Sequence, residues 1–389
     1  MIDLPYLLVL NVEIRRHRGE FWADPLWHKD LMAHLDNISQ LSLFCPVKES
    51  SPPRADWRPC AHQRLRIVPC PSLGWLAFFH IPRIVWCLYW LIGEARIVHT
   101  GIAGWPWPLG WIAVPLARLR GKFLLVIVES SFWRATRWET TRLARLKSMI
   151  FEVINRACVN ACDLAFFTTS AYRRQFSGRR QDFGIVAPAT WLDEKHVLGD
   201  ACARMRASSR SGRLLFAGRL TKGKGVEVLM EALRSTSVRV DIVGDGELRD
   251  CCVALSTERP DQVRVIDPVT YGDEFFRLID AYEAVVVPTL SDEQPRIIFD
   301  AFARGVPVIA SSTSGHVELV QNGQTGWLVP PGDAHALAAA MCLALDNTER
   351  SREMGLAALK LVRSRTHRAM HQERADVILK VLEGRYCKS

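Results

Sequence analysis

The sequence predicts an α/β chain of two doubly wound domains, from three observations. Short apolar runs rich in β-branched residues alternate with helical pattern along most of the 389 residues, as in parallel strands joined by crossover helices. The alternation fades over residues 189–212 and restarts at 213. The length suffices for two domains, each with its own core.

Composition narrows the class. An apolar fraction of 49% with 23% charged residues is that of a globular chain. The eleven cysteines are scattered without metal-ligand spacing; Cys158 and Cys162 lie four apart and Cys251 and Cys252 are adjacent, which reads as buried thiols in a reducing cytosol. Residues 1–19 carry an apolar run with no basic segment before it and no small-residue cleavage site, so they read as a first strand and not a signal peptide. The net charge of +9 is concentrated: residues 1–190 hold 24 Lys and Arg against 14 Asp and Glu, and eleven of thirteen tryptophans precede residue 140. A basic, Trp-rich half suits an anionic membrane surface. No paired zinc ligands and no aromatic RNP motif are present, so nucleic acid is not the expected partner.

Taken in order, residues 6–12 read as the first strand, 26–35 as a helix, and 41–47 and 65–68 as further strands around a Pro-rich loop. Residues 73–93 are nearly continuously apolar but interrupted by His80, Pro82 and Arg83. A central Pro and Arg are costly in lipid, so this stretch reads as a buried or interfacial helix and not a spanning one. A second apolar stretch, 103–117, contains WPWPLGW and belongs to the same membrane-facing edge. Strands follow at 95–100 and 123–128, and parallel sheets place ligands beyond their strands' carboxyl ends. His99 and Glu129 therefore stand out as residues closing strands, in VHTG and VESSFWR, each a candidate to orient or deprotonate an acceptor hydroxyl; Arg134 ends the second motif. A basic helix over 137–161, strands at 164–168 and 185–188, and a linker with a short helix over 189–212 complete the first half.

The restart carries the chemistry. A buried strand, 214–217, runs into a Gly-rich turn holding Arg219, Lys222 and Lys224 and then into an amphipathic helix. Glycines permit close backbone approach, and the helix start with the cations makes a phosphate site. Strands at 238–243, 263–266 and 284–288 follow, then residues 291–307, SDEQPRIIFDAFARGVP. A helix starting near Pro295 puts Asp292 in the loop before it and Asp300 about a turn inside, so both carboxylates can face a ligand whose anionic part docks on the helix start.

Residues 213–334 resemble the nucleotide-sugar-binding domain of the retaining GT-B glycosyltransferases of family 4, also called glycosyltransferase group 1. Five motifs in order carry the resemblance: AGRLTKGKG, IVGDGELR, VVPTLSDEQPRIIFDAFARGVPVIAS, SGHVELV and NGQTGWLVPPGD. The resemblance implies two Rossmann-like domains facing a central cleft: an acceptor domain over 1–190, a donor domain over 191–368, and a final helix within 369–389 crossing back to the first. It places the donor diphosphate on Gly218, Arg219 and Lys224. The family's paired glutamates fall on Asp292, facing the transferred sugar, and Asp300, facing the ribose; both are one methylene shorter here. Glu293 replaces the usual glycine and is a second candidate for the sugar-facing carboxylate, and Gln294, Pro295 and Arg296 lie beside sugar and phosphate.

Asp292, Glu293 and Glu129 are then the catalytic candidates, with His99, Glu129 and Arg134 on the acceptor side. Many relatives place a histidine where this chain has Glu129. The implied function is metal-independent, retaining transfer of a sugar from a nucleoside-diphosphate sugar, with no cofactor. The acceptor is a saccharide, most plausibly lipid-linked, at the cytoplasmic face of the membrane in polysaccharide assembly. A nucleotide-sugar epimerase or phosphorylase on the same fold, or a catalytically silent membrane-associated binding protein, are the alternatives.

Overall fold

A computed structural model describes residues 1–49, 56–71, 77–104, 107–131, 133, 142–178, 183–291 and 294–386. The chain forms two compact units, Met1–Pro188 with Arg368–Ser389, and Ala189–His367.

In the first unit β1 (Tyr6–Val9), β2 (Ile14–His17), β3 (Glu20–Ala23), α1 (Pro25–Asn37), β4 (Leu41–Glu49), β5 (Arg58–Pro59), β6 (Leu65–Cys70), α2 (Ile81–Glu94) and β7 (Ile97–Gly101) are followed by α3 (Gly110–Leu119), β8 (Phe123–Val128), α4 (Arg142–Ala161), β9 (Leu164–Phe167), α5 (Ser170–Phe176) and β10 (Ile185–Val186). The second unit holds α6 (Asp200–Ala207), β11 (Leu214–Ala217), α7 (Val226–Arg234), β12 (Val240–Val243), α8 (Arg249–Glu258), β13 (Val263–Ile266), α9 (Asp273–Asp280), β14 (Ala284–Val287), α10 (Arg296–Ala303), β15 (Val308–Ser311), β16 (Gly326–Val329), α11 (Ala334–Asp346) and α12 (Thr348–Val362). The last helix, α13 (His367–Tyr386), packs within the first unit.

The first sheet runs β10-β9-β8-β7-β1-β4-β2-β3-β5, with β6 also paired to β4. Its central ladders are parallel. Strand alternation divides its core into two layers. Leu7, Val9, Val98, Leu124 and Val126 face α2, α3, α4 and α5, whereas Tyr6, Leu8, Ile97, Phe123 and Leu125 face α1 and α13. Helix α1 starts where the sequence directs: Pro25 occupies its first turn, and Asp24 Oδ1 accepts from Leu26 N at 3.0 Å and Trp27 N at 3.2 Å. Among the described residues no helix is long and apolar enough to cross a membrane. Helix α2 begins at Ile81 with Pro82 in its first turn, a position that forfeits no helical hydrogen bond. The ten described cysteines are all free, and burial pushes the Cys70 and Cys158 thiols up to about 12.

Two features depart from the sequence reading. The charged segment after β1, to which the sequence assigns no element, is a hairpin: β2 and β3 pair antiparallel with His17 opposite Glu20. Arg18 and Gly19 both take positive φ, 51° and 86°, as a two-residue hairpin turn of matching twist requires. His99 does not close its strand. It is the third of five residues in β7, 5% exposed, opposite Leu8 and Leu125. Its alternation phase points it into the layer under α1 and α13, where its Nδ1 shares a 2.8 Å hydrogen bond with the Tyr6 hydroxyl. That position is in the middle of β7 and not at the sheet's carboxyl edge.

Around His99 lies a buried polar cluster. Asp30 of α1 reaches His371 Nε2 of α13 at 3.0 Å through one oxygen and His34 Nδ1 at 3.4 Å through the other. Burial, then the neighbouring His34 and Arg374, hold the His99 pKa well below 6.5, only partly opposed by Asp30. Below about pH 6.5 the unfolded chain binds a proton at this position that the folded chain refuses, so stability is full above that pH and falls with it, by at most about 1.4 kcal/mol per pH unit. The melting temperature should therefore drop between about pH 7 and pH 5, and the drop should shrink in His99→Gln. Equal drops in both proteins would contradict this origin.

Candidate functional site

The second sheet is wholly parallel, in the order β13-β12-β11-β14-β15-β16. The chain runs outward from β11 through β12 to β13, then returns to lay β14 on the other side of β11. In such sheets the crevice beyond the carboxyl ends of the two strands flanking the reversal is where ligands bind. Described residues of both motifs singled out in the sequence lie there: Gly218 and Arg219 follow β11 directly, residues 288–291 follow β14, and Gln294 and Pro295 precede α10.

Backbone contacts lock these loops together. Gly225 has φ +74°, and a Cβ on it would overlap the Pro288 carbonyl oxygen. Leu290 N donates to Gly223 O at 3.0 Å, joining the Gly-rich turn to the loop after β14. Leu220 N donates to Asp245 O at 2.8 Å and Leu248 N to Leu220 O at 2.9 Å, which ties in the loop after β12. Arg219 is exposed, and its guanidinium has no partner among the described residues. Lys224 is half-buried, and Lys222 pairs with Glu227 at 3.3 Å.

Helix α10 starts at Arg296 behind Pro295, and among the described residues no side chain caps its first turn. Its leading N–H groups and dipole thus favour an anion. Asp300 is the fifth residue of α10 and 3% exposed; its Oδ1 accepts from the Tyr271 hydroxyl at 2.8 Å. Burial, then the Asp300 charge, push the Tyr271 pKa far up, so the phenol keeps its proton and remains a donor. Asp300 therefore offers a ligand only what Tyr271 leaves. Gln294 Oε1 accepts from Ala189 N at 3.0 Å, and the Arg296 guanidinium lies 4.9 Å from the Trp191 ring centroid. Beyond β15, His316 Nδ1 donates to Ser311 O at 2.6 Å and the Ser311 hydroxyl donates to Thr289 O, fixing that loop to the one before α10. Asp292, Glu293 and Arg134, expected at the site, lie outside the described residues.

The first sheet reverses between β1 and β7. Thr100 Oγ1 donates to Val9 O at 3.0 Å across that reversal. Asn11 accepts from Leu109 N at 2.9 Å and donates to Trp107 O at 3.1 Å, which fixes the loop into α3. Glu129 follows β8 directly and is half-buried, with its carbonyl accepting from Thr168 Oγ1 at 3.4 Å. Sequence reasoning missed Tyr271, Trp191 and Asn11. Asn11 falls inside the strand read over 6–12, which in the structure ends at Val9; Tyr271 and Trp191 sit in segments with no periodicity to mark them.

Comparison with known proteins adds a family match over part of the chain. Residues 211–347 match the glycosyl transferases of group 1. The amylovoran biosynthesis glycosyltransferase AmsK of Erwinia amylovora is 29% identical over 153 residues, covering 33% of this chain and 35% of that protein. A putative colanic acid biosynthesis glycosyltransferase, WcaL of Salmonella typhimurium, is 26% identical over 231 residues, covering 51% and 56%. The chain thus spans about a third to just over half the length of these relatives. The structure of Anabaena HepE in complex with UDP superposes over 97% of this chain and all of its own, with a TM-score of 0.66 at 16% identity. The chain has the GT-B fold, and residues 211–347 of its second unit are similar to the glycosyl transferases of group 1.

Proposed function

We propose that this protein is a retaining glycosyltransferase that binds a nucleoside-diphosphate sugar on the second unit and an acceptor on the first. The observation that carries the reading is the exposed Arg219 at the reversal of the second sheet, without a side-chain partner among the described residues, in a turn bonded to the loop that leads to a start of α10 that no described side chain caps. Guanidinium, Lys224 and helix start offer what a diphosphate leaving group needs. A unit charge pair about 4 Å apart is worth roughly 4 kcal/mol at an effective dielectric of 20, so this chain's own cations can offset the charge that develops as the glycosidic bond to the diphosphate breaks. In this reading Asp300, held by Tyr271, serves the ribose and Glu129 the acceptor hydroxyl. The names of the relatives, for amylovoran and colanic acid biosynthesis, support polysaccharide assembly, and the UDP in the HepE structure supports a nucleotide donor.

The first unit supports a lipid-linked acceptor at the cytoplasmic membrane face. Helices α2, α3 and α4 pack side by side over one face of its sheet. Their outward side exposes Trp86 (64%), Trp90, Leu119, Leu143, Leu146, Met149 and Val153 (67%). The basic Arg83, Arg118, Arg120, Arg142, Arg145 and Lys147 belong to the same helices or their ends. Apolar side chains for the acyl boundary beside cations for anionic headgroups are the composition of an interfacial surface.

Calorimetric titration with UDP, GDP, ADP and CMP should find one nucleoside diphosphate that binds, and Arg219→Ala should weaken it by roughly tenfold or more, as loss of a charge-assisted hydrogen bond does. No binding by the folded protein would overturn the donor site. Glu129→Gln should depress sugar transfer to a membrane lipid extract while leaving nucleotide affinity unchanged; undiminished transfer would remove Glu129 from the reaction. The protein should co-sediment with phosphatidylglycerol vesicles and not with phosphatidylcholine ones. Trp86→Ser with Trp90→Ser should lose most of that binding, and retention would place the lipid contact elsewhere.

A further inference from the structure

The chain passes from the first unit to the second at residue 189 and returns after residue 367. The two passages meet on Trp191. Its indole is 7% exposed and stacks on the His367 imidazole, with centroids 5.2 Å apart and planes inclined by 17°. Beside the stack, His367 N donates to Leu192 O at 2.7 Å and Thr366 Oγ1 donates to Glu194 Oε1 at 2.6 Å. Arg296, the first residue of α10, lies 4.9 Å from the centroid of the same indole. Two residues earlier, Gln294 Oε1 accepts from Ala189 N at 3.0 Å. The segment before α10 and the start of α10 are therefore each fastened to the outgoing passage, and that passage is fastened to the returning one.

We infer that Trp191 is a positioning residue for the donor site: it holds Arg296 and the start of α10 where a nucleoside diphosphate meets them, and it carries the effect of that occupancy into both passages. The inference rests on the donor-site reading above. Physically, a cation over an indole face is attracted to the ring quadrupole, most strongly where water is excluded, and a flat stack between Trp191 and His367 lets any shift of one passage move the other. An anion on the first turn of α10 draws on the Arg296 charge, so the cation–π contact and the occupied site share one group. Trp191 touches no reacting atom in this account.

The test uses the full chain with the nucleoside diphosphate that the wild-type protein binds best, measured by calorimetry and by hydrogen exchange. In the wild type, nucleotide should slow exchange in residues 189–194 and 366–368. In Trp191→Ala, affinity should fall about fivefold, and the nucleotide-induced slowing at 366–368 should vanish. Trp191→Phe keeps a ring face and should recover most of both. With donor sugar, Trp191→Ala should raise the donor KM and leave kcat within about twofold. Should the alanine variant fail to fold, Trp191→Leu removes the π face while filling the space and carries the same comparison. Wild-type affinity and induced protection in a folded Trp191→Ala or Trp191→Leu would overturn the inference while leaving the donor site standing. Absence of nucleotide binding in the wild type would overturn the donor-site reading and the inference with it.

Discussion

The second unit depends on one backbone contact that leaves no room for a side chain, Gly225 against the carbonyl of Pro288. That approach presses the turn after β11 onto the loop after β14, and the hydrogen bond from Leu290 N to Gly223 O fixes its register. The same device recurs one strand over, where a Cβ on Gly244 would overlap the Gly218 carbonyl oxygen. Backbone packed on backbone brings three loops to one edge and turns their N–H groups and cations outward. Arg219 and the start of α10 lie at that edge, where the glycines let the loops close on one another.

The first unit uses the same sheet logic to a different end. Its alternation sends one set of side chains beneath α2, α3, α4 and α5 and the other beneath α1 and α13. The second layer is partly polar: Tyr6, His34, His99, Asp30 and His371 satisfy one another there, so the returning helix is held by a specific network as well as by Ala375, Ile378 and Leu382. Buried polar networks of this kind cost desolvation and gain register. The first layer carries a surface of opposite character, apolar and basic on its outer side, and unpartnered by any described element of its own unit.

Much of the fold was legible because parallel strands buried on both faces are short, continuous apolar runs, and residues 123–128 and 284–287 could be little else. The Gly-rich turn after β11 was legible for a related reason: glycines and cations between a buried strand and an amphipathic helix have few structural alternatives. The rest had no local signature. His99 reads as a strand end because the apolar run stops near it, yet its hydrogen bond comes from Tyr6, 93 residues away. The β2–β3 hairpin hid in a charged segment whose two-residue turn was its sole marker. Asp300 reads as a carboxylate that can face a ligand; that one of its oxygens is held by Tyr271, 29 residues earlier, has no local signature. Trp191 lies in a linker without period, and its importance comes from what the chain brings back to it at His367.

The central claim is that a diphosphate belongs at the reversal of the second sheet. A crystal structure with the bound nucleoside diphosphate tests it most directly. The account predicts the diphosphate within hydrogen-bond reach of the Arg219 guanidinium and of the first N–H groups of α10, with the ribose toward Asp300. A diphosphate bound away from Arg219, or on the first unit, would contradict it.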